Sequence, residues 1–236
     1  MAEWAPKRFW QAASTQAVED GFGVTLDGRP VRTPAKQPLV VPSLPLAQII
    51  AAEWDAQDQT IRPETMPFTR SANSAIDRVA PQRSEVVDII AAYGDADLLC
   101  YRAPQPQALF ERQAAEWDPL LAWSAATLGA HLVPRVGVMH APQSPETLGV
   151  LRDHVRGLDP FVLTALHDLV ALSGSLVLGF AVLRAYLPPD EAWRLSRIDE
   201  DWQIALWGAD EEAIEITARK KTDFLHAAQF YDSCMK

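Results

Sequence analysis

Apolar positions along this chain keep two different periods, and the change falls near Pro42. Upstream, Phe22-Gly-Val-Thr-Leu26 and Arg29-Pro-Val-Arg32 flank Asp27-Gly28. Asp-Gly between such segments predicts a two-residue hairpin, because Gly takes the positive φ that a type I′ turn needs. Pro30 cannot donate a ladder hydrogen bond, so its strand lies at an edge or begins there. Leu39-Val-Val41 predicts another short strand and the stretch Phe9 to Val18 a first one. A small sheet or incomplete barrel follows.

Downstream, Leu46, Ile49, Ile50 and Trp54 fall at helical spacing, with Ser43 placed to cap and Pro45 in the first turn. Trp54 shares the stripe of Ile50 and is expected in the core, where its loss would cost roughly 3–5 kcal/mol. Pro63 and Pro67 interrupt the chain before a helix over about 68–79, and another over about 82–93 is expected to end at Gly94. Leu98 to Tyr101 fits a short strand. Asp118-Pro119 interrupts the helical pattern of Leu109 to Leu128, which predicts two helices or a sharp kink. Residues 131–144, with Pro134, Gly137 and Pro142, read as a loop. Helices are then expected over about 145–156, 159–186, 189–206 and 210–233, with Gly208 ending the third and Asp210 capping the last. The fold class is α+β. A small β-rich N-terminal domain with the first helix (residues 1–62) is followed by a larger, mostly α-helical C-terminal domain (residues 63–236).

Composition narrows the functional classes. The 236 residues are 48% hydrophobic, enough to bury a substantial core, and carry a formal net charge of -10. Nucleic acids and anionic membranes favour a basic surface, so neither is expected as a partner. An acidic surface suits a basic protein partner and also serves solubility. Cys100 and Cys234, far apart and without C-x-x-C spacing, indicate a reducing compartment and no disulfide framework. The opening MAEWAPKRFW shows neither a signal peptide nor a transit sequence. The apolar run from Leu169 to Leu183 is shorter than the roughly 20 residues needed to span a bilayer, and reads as a buried helix.

Catalytic candidates are weak. His167-Asp168 lies near Ser173 and Ser175, but neighbouring helical residues point about 100° apart, so the pair is not expected to orient as a triad requires. Ser173, Gly174, Ser175 and Gly179 are better read as small residues that let another helix approach. Asp95-Ala-Asp97 has a metal-motif spacing that turns also use. The five His residues lack zinc-site spacing, and neither a Walker A nor a G-x-G-x-x-G sequence occurs. No catalytic residue, metal or cofactor is therefore assigned; the alternative is a hydrolase or transferase of unknown substrate using Asp95, Asp97 or His167.

The stretch LSRIDEDWQIALWGADEEAIEI is more informative. It holds seven acidic residues between Asp199 and Glu215, no Lys or Arg among them, and both Trp202 and Trp207. On a helix over 189–206, Leu195, Ile198, Trp202 and Leu206 form a core stripe. The opposite face gathers Trp193, Arg197, Glu200 and Ile204. Either the helix is covered on both sides, or that face meets a partner through aromatic and Arg anchors. Asp210, Glu211, Glu212 and Glu215 open the last helix, where the dipole favours acids. The same dipole does not explain Asp199, Glu200 and Asp201 on the preceding helix. The partner-binding expectation covers Trp193, Arg197, Glu200, Asp201, Ile204, Trp207, Glu211, Glu212 and Glu215.

LDGRPVRTPAK, AAEWDAQ, LLCYRA, EWDPLL and LSRIDEDWQIALWG occur in one order, followed by the acidic start of a last helix. Together they resemble the assembly chaperones for the alpha subunit of the soluble head of F-type ATP synthase, over roughly residues 7–231. The resemblance implies two domains, no catalysis, and transient capture of the unassembled alpha subunit with its beta-facing surface shielded. It also implies a functional acidic position near the C-terminal helices, best matched here by Glu211, Glu212 and Glu215. The form without a transit segment resembles the bacterial one, implying a cytoplasmic monomer, with mitochondrial-matrix relatives in eukaryotes.

Overall fold

The structure is a computed structural model that describes residues 7–235; residues 1–6, the first part of the stretch expected to carry no leader, lie outside it, as does residue 236. The chain divides into two compact units. Among the described residues, one comprises 7–83, 159–165 and 229–235, the other 84–158 and 166–228.

The first unit is built on a four-stranded antiparallel sheet. Strand β1 (Ala13–Val18) pairs with β2 (Gly21–Leu26), whose other side pairs with β3 (Arg29–Pro30) and β4 (Val40–Val41). Asp27 and Gly28 both have positive φ (48° and 78°), the backbone of the expected hairpin turn, and Pro30 sits on a strand paired on one side only. Helix α1 (Leu44–Asp55) starts where Ser43 Oγ accepts the Leu46 amide. Its face of Leu46, Ala47, Ile50 and Ala51 packs into a core with Trp10, Val24, Leu26 and Val41. Trp54 is half-buried against that core and meets Trp10 edge-to-face at 5.2 Å. A 3-10 turn (Pro63–Thr65) leads to α2 (Pro67–Ser74) and a π-helical turn (Ala75–Val79). Glu53 accepts the amides of Phe68 and Thr69 and so caps α2 in trans.

The expected domain boundary after residue 62 lies inside this unit. Phe230 and Cys234 from the chain's end and Ala165 belong to its core, and Phe161 stacks near Phe230 at 6.4 Å. The first unit therefore draws on sequence remote from the strands.

The second unit is helical. It holds α3 (Arg83–Ala92) from Ser84 onwards, α4 (Gln107–Trp123) continued by a π-helical turn (Ser124–Leu128), and α5 (Pro145–Arg156). Helices α6 (Pro160–Ser173) from Leu166, α7 (Leu176–Leu183), α8 (Pro189–Leu195), α9 (Ile198–Trp207) and α10 (Glu211–Met235) as far as Ala228 complete it. Every residue of α7 is buried. A Cβ on Gly179 would lie 2.8 Å from side-chain atoms of Leu166 and Val170, so this Gly permits a close α6–α7 approach.

Several expected elements differ. Gly94 does not end α3, which runs into a 3-10 turn (Tyr93–Ala96); a Cβ there would lie 2.7 Å from a Leu151 methyl, which would have to shift. Leu98–Cys100 is a 3-10 turn, and only Tyr101–Arg102 (β5) is strand, paired in parallel with Arg135–Val136 (β6) inside the expected loop. Helix α4 continues through Pro119. Its flanks are held by the fully buried Trp117, whose Nε1 donates to the Leu195 carbonyl at 2.9 Å, and by the Asp118–Arg102 ion pair at 2.6 Å. Two helices expected to be continuous are each split. Gly174 takes φ +75° and Ser175 caps α7, accepting the Leu178 amide at 3.0 Å. Ser196 Oγ donates to the Trp193 carbonyl at 2.7 Å, offering the backbone an alternative to the helix, and α9 restarts with Asp199, Glu200 and Asp201 in its first turn.

Candidate functional site

The split between α8 and α9 alters the stripe expected on a single helix. Leu195 and Ile198 are buried and Trp202 is half-buried, but Leu206 is 58% exposed. The apolar face thus runs off the packed body. Gly208, with φ +84° and open space around it, turns the chain into α10. From Gln203 to Ile216 every residue is exposed, including Ile204, Leu206, Trp207, Ile214 and Ile216. Monomeric proteins seldom leave so many large apolar side chains together in water without a partner.

Between α9 and α10 lies a groove of about 540 Å³. Trp193 and Arg197 lie at its base, Ile204 and Trp207 line the α9 side, and Ala209, Ala213, Ile214, Thr217 and Ala218 line the α10 side. Trp193 is 5% exposed and packs on Phe224 at 5.6 Å, so it is floor and not a projecting anchor. Arg197 lies over the Trp193 ring at 5.7 Å and pairs with Glu200 at 2.8 Å. Lys221, at the far end of the groove, pairs with Asp190 at 2.8 Å. Trp207 is 78% exposed. Of the nine residues read from the sequence as partner-binding, the groove gathers Trp193, Arg197, Glu200, Ile204 and Trp207. Asp201, Glu211, Glu212 and Glu215 are exposed on the same two helices without lining it. Sequence reading missed the small residues Ala213 and Thr217. Their four-residue spacing marks one face of α10, but only the opposing helix gives that face a meaning.

The acids divide into two sets. Asp199 accepts a hydrogen bond from Gln113 Nε2, and Glu200 has Arg197. Asp210 accepts the Ala213 amide at 3.3 Å, as a cap does. Among the described residues, no ion pair reaches Asp201, Asp210, Glu211, Glu212 or Glu215. The turn between α9 and α10, with Asp210, Glu211 and Glu212, therefore carries uncompensated negative charge beside exposed apolar side chains.

The catalytic candidates are occupied structurally. His167 Nδ1 and Asp168 Oδ1 lie 2.9 Å apart, so these helical neighbours do pair, contrary to the expectation from their 100° offset; both side chains are long enough to bend together at the exposed surface. The Asp168 hydrogen bond raises the His167 pKa. Ser173 Oγ donates to the Leu169 carbonyl and Ser175 caps α7, so neither hydroxyl forms a triad with that pair. Asp97 is fully buried and accepts the amides of Leu99 and Val177, joining a 3-10 turn to α7; burial pushes its pKa up to about 6. Asp95 accepts the Gln143 amide and lies 3.3 Å from His140. Burial pushes the thiols of Cys100 and Cys234 up to about 12, which suppresses thiolate chemistry. No cluster of three or more His, Cys, Asp or Glu suited to a metal occurs among the described residues.

Comparison with known proteins decides the class. The family model described as ATP12 chaperone protein matches residues 7–125. The crystal structure of Atp12 from Paracoccus denitrificans is 48% identical, with a TM-score of 0.94 over 97% of this chain and 98% of that one. This chain belongs to the ATP12 chaperone family. A proposed chaperone from Agrobacterium tumefaciens is 42% identical, with a TM-score of 0.90 over 97% of this chain and 86% of that one. The mitochondrial protein atp12 of Schizosaccharomyces pombe is 26% identical over 98% of this chain and 83% of its own length. The protein is an ATP synthase assembly chaperone and not an enzyme, and its client is a subunit of that complex. Among the described residues, no helix is long and apolar enough to cross a membrane.

Proposed function

We infer that the client is the alpha subunit of the ATP synthase head, held transiently through the α9–α10 pair so that its beta-facing surface stays covered until the beta subunit arrives. The observation that carries this reading is the unbroken exposure of residues 203–216, where Ile204, Leu206, Trp207, Ile214 and Ile216 stand beside unpaired acids. Apolar side chains supply the contact area, and the acids favour encounter with a basic surface. The nine residues Trp193, Arg197, Glu200, Asp201, Ile204, Trp207, Glu211, Glu212 and Glu215 form the proposed contact set, with Trp193 and Arg197 as its support. The protein acts as a monomer in the bacterial cytoplasm, the counterpart of the compartment of its mitochondrial relative.

A pull-down from native lysate with the full chain tests this directly. Recovery of the alpha subunit without beta is expected. Recovery of beta alone, or of the assembled head, would overturn the reading.

A further inference from the structure

Taking the proposed client contact as given, we propose that the groove between α9 and α10 receives one amphipathic helical segment of the partner, its apolar stripe facing inward and its basic residues lying at the Gly208 end. The groove is asymmetric. Its α10 side carries the small residues Ala213, Thr217 and Ala218, with Ile214 beside them, leaving a trough along the small positions, while Ile204 and Trp207 rise on the α9 side. Large side chains repeating every three or four residues on a partner helix fit such a trough, as ridges fit grooves in helix packing. The α9 wall is ten residues, so the seated segment spans about 15 Å, or about three helical turns.

Charge sets the direction. At the turn, Asp210, Glu211 and Glu212 are without ion pairs among the described residues, and Glu215, one turn into α10, adds to the same field. At the other end, Arg197 and Lys221 are cations already matched by Glu200 and Asp190, and Arg219 and Lys220 stand nearby in sequence. A segment with a basic end is therefore favoured with that end at the turn. The reverse orientation places like charges together.

The test uses the full chain and three labelled helical peptides of equal length and identical Leu spacing, bearing Lys, Gln or Glu at the polar positions, read by fluorescence anisotropy. The Lys peptide is expected to bind at least about tenfold more tightly than the Glu peptide, a preference that shrinks with added salt. Ala213→Phe, which fills the trough, is expected to abolish binding of the Lys and Gln peptides. Ala205→Phe, exposed on α9 but off the groove, should leave both unchanged, and thermal melts report that both variants fold. Equal affinity for the Lys and Glu peptides, or unaltered binding by folded Ala213→Phe, would overturn the proposal. If Ala213→Phe still captures the alpha subunit as wild type does, the groove inference fails and the client reading stands. If the wild type captures no alpha subunit, the client reading fails, whatever the peptides do.

Discussion

Trp207 leaves 78% of its surface in water, whereas Trp193, lining the same groove, leaves 5%. Their replacement by Ala should separate contact from support. Trp207→Ala is expected to leave stability within about 0.5 kcal/mol, while weakening client capture by about 2 kcal/mol or more, as for an interface anchor. Trp193→Ala should cost roughly 3–5 kcal/mol of stability, since it empties a packed site against Phe224. Chemical denaturation together with client titration distinguishes the two. Asp97 makes a different prediction. Its folded pKa, about 6, lies above its unfolded value, so the folded state binds more protons between about pH 4 and 6. The linked stability is fully present below about pH 4 and is lost as pH rises through about 6, by up to about 3 kcal/mol. Asp97→Asn should remove that part of the pH slope in denaturation measured from pH 4 to 7; an unchanged slope would contradict it. Ile204 and Trp207 stand out in sequence as apolar residues in an acidic stretch, and both are exposed. The role of Asp97 was not legible there, because Val177, one of its amide partners, is eighty positions away.

Helix starts and stops follow single residues at several positions, though not at Gly94. Ser43, Asp210 and Gly208 do what their chemistry predicts. The α6–α7 break is also written in the chain as Ser-Gly-Ser, with a left-handed Gly followed by a cap, but inside a long apolar run the same small residues read as sites of close helix approach. The break between α8 and α9 has no Gly or Pro, and depends on a hydroxyl turned back onto its own backbone. Pro119 shows the opposite case, in which the buried side chains of Trp117, Leu120 and Leu121 carry a helix through a residue that lacks the amide for the bond one turn back. Because Pro119 is exposed, Pro119→Ala should restore that bond without losing core contacts and stabilise the protein by about 1 kcal/mol or more. A rise in the denaturation midpoint with an unchanged slope is the expected result, and a fall would mean that the ring itself packs usefully.

At the scale of the whole molecule, the α+β class and the order of strands before helices follow from the periodicity. The composition of the two units does not. Residues 159–165 and 229–235 join the unit that contains the sheet, and nothing local in those helical stretches marks them as partners of Trp10 or Val24. Net charge predicts the sign of the client surface. Glu211→Lys combined with Glu212→Lys reverses the field at the α9–α10 turn without touching a buried contact. That variant should melt within a few degrees of wild type, given stability changes of about 0.5 kcal/mol for such exposed sites. It should also fail to suppress alpha-subunit aggregation; suppression equal to wild type would remove the acids from the mechanism. Hydrogen–deuterium exchange of the full chain with and without purified alpha subunit tests the docking assignment most directly. New protection is expected to concentrate in residues 198–218; complex formation with protection elsewhere, while those residues exchange as in the free protein, would contradict docking at the α9–α10 pair.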